Sequence, residues 1–172
     1  MSNSFNSHIS GEITLDTLVC IQKEFKAHIE AGASEIRLYI NSPGGNVHAG
    51  LTLHEMIKNC DFPVLGIAEG ECDSIALTVL QACKSRCAKE DVTFLVHFLT
   101  FSIPSRVYYD SDFALSVRDT HMSLQEDIIR IHAERSGISR DDFVALLLAN
   151  RKLNALQARK YGIIDGIIMG GH

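Results

Sequence analysis

Glu35-Ile36-Arg37-Leu38-Tyr39-Ile40, followed at once by Asn41-Ser42-Pro43-Gly44-Gly45, decides how this chain folds. The first six residues alternate polar with apolar side chains and are rich in strand formers, so they predict a strand that stops at Asn-Ser-Pro-Gly-Gly. Pro43 fixes one φ, and the two glycines let backbone N–H groups turn outward with no Cβ in the way. From Val47 to Ile57 the apolar positions Val47, Leu51, Leu53, Met56 and Ile57 fall near helical spacing, so the turn joins a strand to a helix start. Bare N–H donors at such a turn suit an oxyanion. A tight strand-to-helix turn with no catalytic duty is the plainer reading of the same residues.

The next unit repeats that logic. Pro63 to Ala68 predicts a buried strand, Glu69 to Asp73 a turn, and Ser74 to Leu80 the start of an apolar helix. Ser74 at a helix N-terminus is either a cap that accepts from a backbone N–H two or three residues on, or an exposed nucleophile. Val92 to Val96 predicts a strand that delivers His97, which is either a satisfied core residue or a general base. A serine and a histidine at the ends of successive elements allow a nucleophile and base pair for acyl transfer.

Leu38 to Gly45, continued by Ala49-Gly50-Leu51, resembles the Y-I-N-S-P-G-G…A-G segment of the ClpP family of self-compartmentalised serine peptidases. The likeness runs from Gly11-Glu12-Ile13 to Tyr161-Gly162-Ile163-Ile164-Asp165, which resembles the family's closing E-Y-G-L-I-D, and so covers nearly the whole chain. It implies an α/β fold, the ClpP/crotonase-type spiral of repeated ββα units with a long protruding handle helix. It also implies that Gly45 and Ile75 supply the two N–H groups of an oxyanion hole, that Ser74 is the nucleophile and that His97 is the base. The spacing from Gly45 to Ser74 needs no gap against the family pattern.

The departures matter as much. Where the family has G-x-A-A-S-M, this chain has Gly70-Glu71-Cys72-Asp73-Ser74-Ile75, and Phe98-Leu99 replaces Gln-Pro after the histidine. The stretch between Ser74 and His97 is shorter than the family pattern, and a glycine-rich segment becomes Ser105-Arg106-Val107-Tyr108-Tyr109. Aligning back from Tyr161-Gly162 puts Asn150 where the family has aspartate. An amide carbonyl can orient an imidazole but brings no charge to stabilise the imidazolium, and the aspartate-to-asparagine change in a different protease costs about four orders of magnitude. Asp73, a sequence neighbour of Ser74, is expected to point elsewhere, and Asp141 and Asp142 read as helix-start residues. The resemblance therefore implies a serine endopeptidase, weakened by Asn150, that cleaves peptides or unfolded protein inside an oligomeric ring. One alternative is a catalytically inactive structural subunit of a mixed ring. Another is an acyl-CoA-processing relative of the same fold, against which the Ser74 and His97 pair argues.

Composition sets limits. The chain of 172 residues, 46% of them hydrophobic, supports one substantial core, and no linker is visible, so a single domain over 1–172 is expected. With no secretory signal and no apolar run long enough to span a bilayer, a cytoplasmic protein away from membranes is expected. A net charge of −5 argues against nucleic acid as a partner. The five cysteines, Cys20, Cys60, Cys72, Cys83 and Cys87, lack C-x-x-C spacing and read as reduced thiols. Cys83 and Cys87 would share a face if helical, yet no well-spaced histidine completes a zinc set, so neither metal nor cofactor is expected. Cys72 reads as turn packing, with a redox-sensitive thiol as the alternative, and His48 and His54 read as surface or packing residues.

Residues 110–136 predict one long helix carrying Phe113, Leu115, Val117, Met122, Leu124, Ile128, Ile129 and Ile131 among charges. The resemblance makes it the handle that interleaves two rings, implying a homo-oligomer, a heptamer or a tetradecamer. Only Met1 to Ser10 precede Gly11, so the family's longer N-terminal axial segment is expected to be absent. An ATPase unfoldase is then a doubtful partner, and a stand-alone peptidase or a subunit mixed with a fuller paralogue is the favoured reading.

Overall fold

The computed structural model describes residues 3–100 and 111–169. The stretch that opens this account forms strand β2, Glu35–Ser42, whose Ile36, Leu38 and Ile40 are buried on one face. It lies between two parallel neighbours, β1 (Ser4–Ser10) and β3 (Val64–Cys72). β4 (Ser85–Lys89) and β7 (Gly166–Ile168) extend the parallel sheet in the order β1-β2-β3-β4-β7. Parallel neighbours need crossovers, and α1 (Leu15–Glu30), α2 (Val47–Lys58) and α3 (Ile75–Gln81) supply the first three. Thr14 and Asn46 cap α1 and α2 by accepting from the N–H groups of Thr17 and Ala49.

The sheet forks at β3. Leu65–Ala68 pairs with β4, while Glu71, farther along the same strand, pairs with Thr93 of β5 (Thr93–Val96). β5 in turn pairs antiparallel with β6 (Arg151–Asn154). The β5–β6 limb leads to two candidate site residues, His97 just after β5 and Asn150 just before β6. α4 (Ser111–Ser136), α5 (Arg140–Ala149) and α6 (Ala155–Lys160) complete the described elements. In α4 the buried side chains Gln125, Ile128, Ile129, Ile131 and His132 lie in the C-terminal half, whereas Phe113 and Met122 are 52% and 57% exposed. The expected long helix is therefore present, with Leu115 and Met122 exposed toward its N-terminal end.

One reading needs correction. Glu69–Cys72 is the end of β3 rather than a turn, because Cys72 pairs with Ser42 across the sheet. Cys83 and Cys87 do not share a helix face: α3 stops at Gln81, and Cys87 lies within β4. The stop is enforced by Gln81, whose side-chain NH₂ donates to the Ile163 carbonyl, and by Arg86, held by both carboxylate oxygens of Asp165. Before Gly11, Ser4–Ser10 pairs with β2 along its whole length. The Ser105–Tyr109 departure lies outside the described residues. Among the described residues no helix is long and apolar enough to cross a membrane.

Candidate active site

The site is built where the loops after β2 and β3 are fastened together. Asn41 Oδ1 accepts from the Glu71 N–H at 3.1 Å, the Asp73 N–H donates to the Ser42 carbonyl at 3.0 Å, and the Gly44 N–H donates to Ser42 Oγ at 3.1 Å. Both turn glycines have positive φ, 98° at Gly44 and 140° at Gly45. Space demands them too: a Cβ on Gly44 would lie 2.8 Å from Ser74 Cβ, and one on Gly45 2.4 Å from the Ile13 carbonyl oxygen. Ile13 pins the turn by donating to the Gly44 carbonyl and accepting from the Asn46 N–H. The Gly45 N–H and the Ile75 N–H, the latter at the first position of α3, have no hydrogen-bond acceptor among the described residues. A Cβ on Gly44 would be only 3.3 Å from the Ile75 nitrogen, so the two donors flank the same small space.

Ser74 precedes α3 with φ 56° and ψ −128°, and its hydroxyl makes no cap hydrogen bond. A non-glycine residue held at positive φ marks stored backbone strain, and a cap that does not cap leaves its hydroxyl available. The backbone of Ser74 is anchored instead: its N–H donates to the Leu95 carbonyl at 3.0 Å. Two residues beyond Leu95, His97 closes β5 and lines one small cavity with Ser74, Thr78, Ile128 and His132. The His97 ring is half-buried and makes no hydrogen bond among the described residues, so it is not a satisfied core histidine. Among the described residues no hydrogen bond joins Ser74 Oγ to it.

Asn150 is exposed at the end of α5, in the left-handed conformation with φ 44° and ψ 49°, a region asparagine tolerates better than most residues. The β5–β6 ladder ends at Val96 opposite Arg151, so His97 and Asn150 each lie one residue beyond it. Leu95 spends its N–H and C=O on Asp73 and Ser74, away from β6. No hydrogen bond joins the two side chains. Asp141 and Asp142 occupy the first turn of α5, which Ser139 caps by accepting from the Asp142 N–H.

Two features escape the sequence reading. Asp73 is 4% exposed, and its carboxylate is spent on β5 and β6 rather than on Ser74 or His97. Its Oδ1 accepts from the Leu95 N–H at 2.6 Å and its Oδ2 pairs with Lys152 Nζ at 3.0 Å. His132, 1% exposed, bonds through Nε2 to Thr78 Oγ1 at 3.1 Å, stacks on Phe143, and leaves Nδ1 buried without a partner. Burial, with His54 and Arg86 adding to it, drives its pKa down to about 3. The signal for Asp73 was its acidic side chain beside a helix start. His132 showed only as one histidine within the apolar face of α4. Cys72 is fully buried, and burial pushes its thiol well above the ordinary range, which fits packing rather than redox sensing. Among the described residues no cluster of three or more His, Cys, Asp or Glu side chains is placed to hold a metal ion.

Comparison with known proteins completes the description. The ATP-dependent Clp protease proteolytic subunit 3 of Rhizobium meliloti is 27% identical over 172 residues, spanning 97% of this chain and 86% of the relative. The ATP-dependent Clp protease proteolytic subunit of Bacteroides fragilis is 29% identical over 137 residues, 78% of this chain and 64% of that protein. A solved structure of ClpP1 from Listeria monocytogenes, carrying an asparagine-to-aspartate substitution, superposes with a TM-score of 0.82 at 24% identity, covering 96% of this chain and 91% of that one. The fold is thus the ClpP fold. The model of the Clp protease family matches residues 8–171, and the chain belongs to that family.

Proposed function

We propose that this chain is a serine endopeptidase acting on peptides or unfolded protein within a ring of its own copies. His97 takes the proton of Ser74 Oγ as the oxygen attacks a peptide carbonyl, and the Gly45 and Ile75 N–H groups receive the oxyanion. His97 then gives the proton to the departing amine, leaving an acyl-serine. A water molecule, deprotonated by His97, attacks the acyl carbon, and Ser74 recovers its proton as the acid product leaves. Asn150 orients the ring through its amide without supplying charge, so turnover is weaker than with a carboxylate. The observation that carries this reading is Ser74 itself, held at φ 56° with a hydroxyl that makes no cap hydrogen bond in one cavity with His97. The peptide substrate class is supported by the relatives named proteolytic subunits. The exposed Phe113, Leu115 and Met122 of α4 support a partner copy covering that helix.

A second reading, a structural subunit without activity, is favoured by Asn150, which lacks both a charge and a hydrogen bond to His97. Hydrolysis of small apolar fluorogenic peptides by the assembled protein separates the two. Turnover lost in Ser74→Ala supports the peptidase, and no turnover in the assembled wild type leaves the structural subunit.

A further inference from the structure

Asp73 sits between the last residue of β3 and Ser74, and both of its carboxylate oxygens are committed. Oδ1 takes the Leu95 N–H at 2.6 Å, and the Ser74 N–H gives to the Leu95 carbonyl at 3.0 Å. One residue of β5 is therefore gripped at both polar ends by the Asp73-Ser74 dipeptide, two positions before His97. Oδ2 meets Lys152 Nζ at 3.0 Å, and Lys152 faces Leu95 across the β5–β6 ladder, two positions after Asn150. Lys152 reaches Glu71 Oε2 as well, at 3.6 Å. A carboxylate as buried as Asp73 is costly unless paired and hydrogen-bonded. Here the N–H and the ammonium meet that demand from the two strands that lead to His97 and Asn150.

We propose that Asp73 and Lys152 form a latch that fixes β5 and β6 against the Ser74 turn and so sets the distance from Ser74 to His97. Both are positioning residues, acting through the backbone and making no contact with the reacting atoms. The proposal rests on the reading of Ser74 and His97 as the reacting pair. The consequence is geometric. Without the ammonium, β6 loses its tie to the Ser74 turn, and β5 keeps only the Leu95 bonds. Small displacements of a base from its nucleophile cost rate more than binding.

The test uses Lys152→Met, Lys152→Arg and wild type, assembled and at equal concentration. Lys152 is half-exposed, so its replacement opens no cavity and disturbs packing less than Asp73→Ala does. The first readout is the rate at which a fluorophosphonate modifies Ser74, a reaction that forms the Oγ–P bond, expels fluoride and passes the hydroxyl proton to His97. The second is amide hydrogen exchange at Leu95. Lys152→Met should slow labelling by about tenfold and lower kcat rather than raise KM on a peptide substrate. It should also speed exchange at Leu95 while leaving the β2 amides unchanged, and Lys152→Arg should restore both readouts. Labelling and Leu95 exchange at wild-type values in Lys152→Met would overturn the latch. If wild type is not labelled at all, the peptidase reading falls. The exchange readout then decides the latch alone, faster exchange at Leu95 supporting it and unchanged exchange overturning it.

Discussion

Acid should destabilise this protein through His132, and the size of the effect follows from its surroundings. The imidazole is buried against Phe143 with Nδ1 unpartnered, and its pKa falls from 6.5 to about 3 on folding. Between those values the unfolded chain binds a proton that the folded chain refuses, so stability declines as pH falls. The slope is about 1.4 kcal/mol per pH unit once the pH is below the unfolded value. Moving from about pH 7.5 to about pH 5 should then remove about 2 kcal/mol, or about 1 M in a urea midpoint for a domain of this size. Carboxylates titrate mostly below that window, but His54, whose pKa burial also lowers against the opposing pull of Glu55, contributes in the same direction. The contribution of His132 is isolated by His132→Gln, which keeps a donor for the Thr78 hydroxyl and does not titrate. Urea unfolding at one subunit concentration and both pH values should show the variant losing about 2 kcal/mol less than wild type. Equal acid sensitivity in the two proteins would refute the reasoning.

If Asn150 orients His97 as proposed, Asn150→Asp should raise kcat by about tenfold or more, because a carboxylate there stabilises the imidazolium. Asn150 is exposed at the end of α5, so the new charge should cost little stability; Asn150→Ala should lower turnover, and no change in either variant would remove Asn150 from the site. Asp165→Ala should cost about 3 kcal/mol in denaturant unfolding, because it strips the partner from Arg86, which is only 4% exposed and otherwise bonded to Gln81 Oε1. A loss too small to measure would show that the Arg86–Asp165 pair does not fasten β4 to the C-terminal segment.

What the sequence made legible follows where burial is apolar and periodic. β2 and its glycine turn could be read because Ile36, Leu38 and Ile40 alternate cleanly, and because positive φ at Gly44 and Gly45 leaves little other choice. β1 could not, since its buried positions include Ser7 and its neighbours are polar. β4 was hidden for a related reason: Arg86 is buried by pairing with Asp165, a partner distant in sequence, so its strand carries no apolar signature. At the site, the register from Gly45 to Ser74 was readable through the family resemblance, but the φ of Ser74 was not, because strain is imposed by the loops fastened around it. Asp73 and Lys152 meet only in three dimensions, and nothing local to either residue announces the pair.

In the proposed function Ser74 is a nucleophile activated by His97. The most direct measurement is to treat the assembled protein with a fluorophosphonate and locate the adduct by peptide mass spectrometry, with His97→Ala beside wild type. A single adduct on Ser74 in wild type, slowed by at least about a hundredfold in His97→Ala, is the expected result. No adduct on Ser74, or one formed equally fast without His97, would contradict the account.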